Sequence, residues 1–329
     1  MEKQKRRWRS PLIATAILLL VVSVSLLQRR SVRVAKGIRQ QPRSKAAFRF
    51  KYDKFCDALF NSGNWVGIPR VGCDPSTLSV ATCGPNHTDN WQWSSDALRC
   101  GAHRLSTAEL QAPLSERWVV VAGDSIARFF FAALLRLLSG DGKQQVVYGH
   151  RDFEYMLPGN VRASFIWAPY AANLTTMYTN WTRSGESPHV VVMSAGLWHM
   201  LHIHSPADFA KQLQRLKQAM KTFLTHNKAA HPVPVSFFSI SEVYPPKLKT
   251  EEKRLHLTLE SVDLYNRAIQ DAGLLVPDGA LYLVDMHHLT QGCGPSCTHD
   301  GLHYSNATYD AALQIWANNY LSLLSATSQ

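Results

Sequence analysis

Gly123-Asp124-Ser125 and, near the other end of the chain, Asp300-Gly301-Leu302-His303 carry the residue types of an acyl-transfer site. Ser125 supplies a hydroxyl nucleophile, His303 a base to take its proton, and Asp300 a carboxylate to hold the imidazole in the required tautomer. Such a set is defined by geometry and roles, so separation along the chain is no obstacle. Taken alone, Gly-Asp-Ser is also an ordinary turn, because all three residues favour turns and helix caps. Asp285, which ends a strand-like segment just before His287-His288, is a rival acid.

The elements around the first motif fit a nucleophile. Residues 117–122 (RWVVVA) read as a buried strand and residues 126–138 as an apolar helix, so Ser125 falls at a strand-to-helix turn. A helix amino terminus adds free NH groups and a positive dipole end, both of which favour developing negative charge. Beyond residue 117, strand-like segments at 117–122, 145–148, 163–167, 189–194, 235–240 and 281–285 alternate with helical patterns at 126–138, 206–226, 251–272 and 307–324. That alternation predicts an α/β fold, three layers with a parallel sheet. In such a sheet the site forms at the carboxyl ends of the strands, where Gly123, Gly196 and Asp300 fall.

At these motifs the chain resembles the PC-esterase family of the SGNH (GDSL-like) superfamily, which includes the plant trichome-birefringence-like O-acetyltransferases and sialate acetyltransferases. Cys56-Asp57 through Phe60 and Gly63-Asn64-Trp65-Val66 are similar to the opening block of the plant proteins, and Trp91-Gln92-Trp93 with Cys100 to their next segment. Gly123-Asp124-Ser125-Ile126-Ala127-Arg128 matches their nucleophile block, and Val190 to His199 resembles their glycine-tryptophan block. The last motif departs from the plant form, since no cysteine follows Asp300 directly; it looks more like the sialate-acetyltransferase or algal variants.

The resemblance implies an SGNH-like catalytic domain over 114–329 with Ser125, Asp300 and His303 as its triad, and it reinforces Asp300 over Asp285. It also implies carbohydrate O-acetylation in the Golgi lumen through an acyl-serine, with an acetyl donor (acetyl-CoA or an acetylated intermediate) as co-substrate and no bound cofactor. A carbohydrate acetyl esterase uses the same triad, and a non-catalytic glycan-binding protein is the third reading. The superfamily's oxyanion hole adds a glycine NH and an asparagine to the serine NH, but the block here, Ser194-Ala195-Gly196-Leu197-Trp198-His199, has no asparagine. Gly149, Gly196 and Arg128 are the candidates for that role. Among nine tryptophans, Trp167 and Trp198 follow strand ends and are the best placed to meet a sugar ring.

The formal charge of +11 is unevenly distributed. Residues 1–51 hold 14 Lys or Arg against Glu2 alone, a balance of +13, and the remaining 21 basic and 23 acidic residues give −2. The folded region therefore has no basic nucleic-acid footprint. The positive end surrounds an uncharged run over 11–27, a short span or a signal-peptide core by length, that reads better as an uncleaved membrane anchor because 26–29 (LLQR) is a poor cleavage site; a cytosolic tail at 1–10 precedes it and a basic stem at 28–51 follows. A Cys/Trp-rich lobe follows at 52–113.

Sequons at Asn86, Asn173, Asn180 and Asn306, with six cysteines, suit a lumenal, single-pass type II orientation. Cys56, Cys73, Cys83 and Cys100 crowd the lobe, while Cys293 and Cys297 frame the final motif; either the last two pair, or one ties the terminal loop to the amino-terminal segment. His199, His202 and His204 lack a fourth ligand and a helical register for zinc, so no metal is assigned. A lumenal enzyme with one span cannot draw cytosolic acetyl-CoA through itself, so a polytopic donor-supplying membrane partner or lumenal acetyl-CoA is expected.

Overall fold

The structure is a computed structural model that describes residue 56 and residues 59–66, 91–139, 148–226, 233–274 and 281–327. All fall in one compact unit, Phe50–Gln329. The anchor at 11–27, the stem, Asn86, Cys73, Cys83 and most of the strand expected at 145–148 lie outside the described residues. Among the described residues no helix is long and apolar enough to cross a membrane.

The amino-terminal lobe contributes β1 (Gly63–Trp65), β2 (Trp91–Trp93), α1 (Ser95–Arg99) and α2 (Thr107–Leu114). The catalytic region continues with β3 (Trp118–Gly123), α3 (Ser125–Ser139), β4 (Phe153–Leu157), β5 (Val161–Trp167), α4 (Ala171–Ser184), β6 (Val190–Met193), α5 (Leu197–His202) and α6 (Pro206–His226). It ends with β7 (Val235–Phe238), α7 (Glu251–His256), α8 (Leu259–Asp271), β8 (Leu281–Val284), α9 (Met286–Cys293) and α10 (Asn306–Thr327).

The main sheet has the order β4-β5-β3-β6-β7-β8. Helices α3 and α10 pack together on one side, and α4, α6 and α8 form a second packed set. Val119, Val120, Val121 and Ala122 of the central strand are fully buried, as a strand covered on both faces requires. The sheet is parallel except at its edge, where β4 runs antiparallel to β5, Phe153 opposite Phe165. The expected parallel sheet thus carries one antiparallel edge strand that was not among the strand-like segments; Glu154 and Met156 alternate outward along β4, the half-exposed pattern of an edge strand.

The helix expected over 251–272 is two helices. Thr258 interrupts it, because its side chain accepts the NH of Ser261 and caps α8. The antiparallel pair of β1 and β2 sets Gly63 opposite Trp93, and Asn61 joins it to the sheet by donating to the Leu283 carbonyl and accepting the NH of Asp285. Cys56 is bonded to Cys100, and Cys293 to Cys297, the first of the two arrangements expected for the terminal pair.

Candidate active site

Strand β3 delivers Gly123 to the sheet edge with φ +152°, a conformation in which L side chains are strained. A Cβ there would also stand 2.4 Å from Ser194 Oγ, so only glycine lets β3 approach the end of β6. Asp124 is buried, and its Oδ1 accepts the NH of Ile126 at 2.9 Å and the hydroxyl of Ser194 at 3.2 Å. Burial raises its carboxyl pKa, and those two hydrogen bonds oppose the rise. Asp124 thereby fastens the turn to the neighbouring strand, a positioning role that sequence analysis did not assign. Ser125 then begins α3, where its NH has no intrahelical acceptor.

The terminal loop brings the rest. Thr298 and Tyr304 form an antiparallel bridge that closes it, Thr298 Oγ1 takes the NH of Gly301 and donates to the carbonyl of His303, and Lys247 Nζ holds the carbonyls of Pro295 and Thr298. Within this loop His303 Nδ1 lies 2.7 Å from Asp300 Oδ2, and His303 Nε2 lies 2.7 Å from Ser125 Oγ. Asp300 Oδ1 also accepts the NH groups of Leu302 and His303. Burial works to raise the Asp300 pKa, but the hydrogen bonds from His303 and Leu302 outweigh it and hold the carboxyl well below the usual range. An ionised Asp300 only accepts, so the imidazole proton sits on Nδ1 and Nε2 faces the serine hydroxyl as an acceptor. The Phe129 ring meets the imidazole edge-on at 5.3 Å and stacks on Tyr309, bracing the base.

The rival acid serves elsewhere. Asp285 caps α9, accepting from Ser239 Oγ and the NH of His288. Its neighbour His287 pairs with the buried Glu242 at 2.8 Å, a contact that no sequence motif announced.

Of the oxyanion candidates, Arg128 stands one helical turn from Ser125 and is buried. Its Nη1 donates to the carbonyl of Gly149, while its Nε has no hydrogen-bond partner among the described residues. Gly196 precedes α5 with φ +136°, and a Cβ there would strike Ile240 at 2.3 Å; it gives its carbonyl to the NH of Met200. Its glycine identity is thus explained by packing.

Trp167 and Trp198 meet edge to face at 5.5 Å. Trp167 lies opposite Gly123 in the β3–β5 register, two residues before the nucleophile. Two residues missed from sequence join this aromatic group, together with His202 of the histidine run: His150 stacks on Trp167 at 4.3 Å, Tyr170 meets Trp198, and the Tyr170 hydroxyl is 3.2 Å from His202 Nδ1. Because Gly149 is held by Arg128 and adjoins His150, the first turn of α3 is tied to this platform. The histidine run diverges: His199 is buried beside Phe209 and Tyr265, His202 turns to Trp198 and Tyr170, and His204 stacks on His256. No group of three metal-ligating side chains gathers among the described residues. Asn173, Asn180 and Asn306 are exposed on helices.

Protein ALTERED XYLOGLUCAN 9 of Arabidopsis thaliana is 31% identical to this chain over 252 residues, covering 70% of this chain and 68% of that protein. The chain belongs to the PC-esterase, trichome-birefringence-like family. N-acetylneuraminate (7)9-O-acetyltransferase of Danio rerio is 23% identical over 267 residues, 80% of this chain, though the match spans only 30% of that larger protein. No protein-family model matches the chain. Among solved structures, a family 3 carbohydrate esterase of Clostridium thermocellum is similar over 65% of this chain and 99% of its own, at 18% identity and a TM-score of 0.43. The acetyl xylan esterase AlAXEase is similar over 60% of this chain and 97% of its own, at 15% identity and a TM-score of 0.38. Family membership and the assembled triad make the protein an SGNH-type acyl-modifying enzyme with an α/β, mostly parallel sheet.

Proposed function

We propose that the protein is a Golgi-lumenal O-acetyltransferase that moves an acetyl group to carbohydrate hydroxyls. The observation that carries the proposal is the aligned Ser125, His303 and Asp300 in a chain related to an O-acetyltransferase. In the first half-reaction Ser125 Oγ attacks the donor's acetyl carbonyl as its proton passes to His303 Nε2; the donor's leaving group departs with that proton. In the second, His303 takes the proton of a sugar hydroxyl as that oxygen attacks acetyl-Ser125, and then returns the proton to the departing serine oxygen. The carbonyl oxygen gains negative charge in both steps. The Ser125 NH, at the positive end of α3, is the first donor to it, with the Arg128 charge behind.

Trp167 and Trp198 form the acceptor floor in this reading, with an acetyl donor as co-substrate and no resident cofactor. The xyloglucan in one relative's name and the sugar acid in the other's support a carbohydrate acceptor. The uncharged run at 11–27, the sequons and two disulfides support a type II lumenal protein, which in turn calls for a polytopic partner or lumenal acetyl-CoA. The test incubates purified protein with an acetyl donor and unacetylated polysaccharide, following both free acetate and sugar-bound acetyl. Sugar acetylation that disappears in Ser125→Ala is expected. Acetate release with ample acceptor present and no sugar acetylation would leave the protein an esterase.

A further inference from the structure

Between α4 and the outer strands β4 and β5 lies an open groove of about 370 Å³, the scale of a small-ligand site. Its lining includes Trp118, whose ring meets the buried Trp181 edge to face at 6.0 Å, together with Arg162, Glu154, Glu186 and Asp152. These polar groups are already ordered. Trp118 Nε1 donates to Ser164 Oγ at 2.9 Å, Ser164 Oγ donates to Glu154 Oε2 at 3.0 Å, and Arg162 Nε donates to the same oxygen at 3.0 Å. The Arg162 guanidinium also lies over the Trp118 ring, 4.2 Å from its centre.

The groove leads to the site already described. Asp152 Oδ1 accepts the NH of Trp167 at 2.7 Å, so its end adjoins the aromatic platform. In the β3–β5 register Trp118 lies opposite Arg162 and Gly123 opposite Trp167. Those five steps span roughly 17 Å at about 3.3 Å per residue. A polymer lying along the strands would therefore reach Ser125 with one end while its remaining units occupied the groove.

We propose that this groove binds the carbohydrate chain beyond the unit being acetylated, and that it takes a neutral chain in preference to a uronate one. The proposal rests on the transferase reading above and adds its substrate class. Sugar rings combine hydroxyls that both donate and accept with flatter CH-rich faces. A fixed carboxylate beside a guanidinium that lies over the Trp118 indole supplies partners for both features without reordering. Three carboxylates line the groove against one guanidinium, so a polyanionic chain meets net repulsion there.

The test measures binding to full-length Ser125→Ala protein by calorimetry, with cellohexaose and xylohexaose as neutral probes and hexagalacturonate as the anionic one. The expected result is saturable binding of at least one neutral hexamer, tighter than hexagalacturonate, and weakened about tenfold or more when Glu154→Ala or Arg162→Ala is added. In the Ser125-intact protein the same two substitutions should raise KM for a polymeric acceptor and leave transfer to a monosaccharide unchanged, which also shows that the variants fold. Binding of the neutral hexamers that is absent or indifferent to both substitutions, or tighter binding of hexagalacturonate, would overturn the groove. Hexamer binding that depends on Glu154 and Arg162 without any acetyl transfer would sustain the groove and remove the transferase reading instead.

Discussion

Asp300 engages His303 twice, with Oδ2 at 2.7 Å from the ring Nδ1 and Oδ1 accepting the backbone NH of the same residue at 2.8 Å. The carboxylate therefore fixes the base's position as well as its tautomer, and it is itself fixed by a loop bridged from Thr298 to Tyr304.

Replacing it with asparagine removes the charge and reverses the tautomer preference. Asp300→Asn should lower kcat by about four orders of magnitude, the scale known for this change in a serine triad. Stability should respond to pH as well. The folded-state pKa of Asp300 is depressed, so its contribution is present above the unfolded value of about 4 and is lost as pH falls through the folded one. Thermal melts at pH 7 and below pH 4 check this: the wild-type advantage over Asp300→Asn should be largest at pH 7 and shrink in acid.

Gly123→Ala should fail for two independent reasons. It places a side chain at φ +152°, at a cost of roughly 1–3 kcal/mol, and it sets a Cβ 2.4 Å from Ser194 Oγ and 2.7 Å from the Ser194 carbonyl oxygen. The backbone contact cannot rotate away, so the loss should exceed the strain alone. Denaturant unfolding measures it, and a variant as stable as wild type would contradict the packing described for the turn.

The two disulfides among the described residues should differ in what they stabilise. Cys56–Cys100 closes a separation of 44 residues and Cys293–Cys297 one of 4. Chain entropy then gives about 4 kcal/mol for the first and about 2 kcal/mol for the second. Paired Cys→Ser variants should show the larger drop in unfolding free energy for the lobe bridge. The terminal bridge, just before the loop carrying Asp300 and His303, should show the larger loss of kcat relative to its stability cost.

Trp198→Ala should raise KM for the sugar acceptor while leaving acetylation of Ser125 by a small activated ester unchanged, since the indole packs with Trp167 and Tyr170, whereas the ring set against His303 is Phe129. Parallel steady-state and burst kinetics separate the two. An equal loss in both would place Trp198 in the acyl chemistry.

The triad was legible because its chemistry is concentrated in two short motifs and because β3 and α3 announce themselves by an apolar run and an apolar helix. The platform was only half legible. Trp167 and Trp198 follow strand ends, but His150 and Tyr170 come from loops whose approach depends on the register of β5 and on Arg128 reaching Gly149. Helix α4 was missed although Leu174, Met177, Tyr178 and Trp181 repeat at helical spacing and are buried; its threonines and sequons masked the pattern. The break at Thr258 carried a capping signal, Thr before an acidic first turn, that the longer helical periodicity concealed.

The central claim is that Ser125 carries the acetyl group. Intact-protein mass spectrometry after brief exposure to an acetyl donor without acceptor, followed by peptide mapping, tests it most directly. The account predicts one acetyl adduct on Ser125 that forms in wild type, disappears when a carbohydrate acceptor is added, and is absent from Ser125→Ala. Sustained turnover with no adduct on Ser125, or an adduct retained in Ser125→Ala, would contradict it.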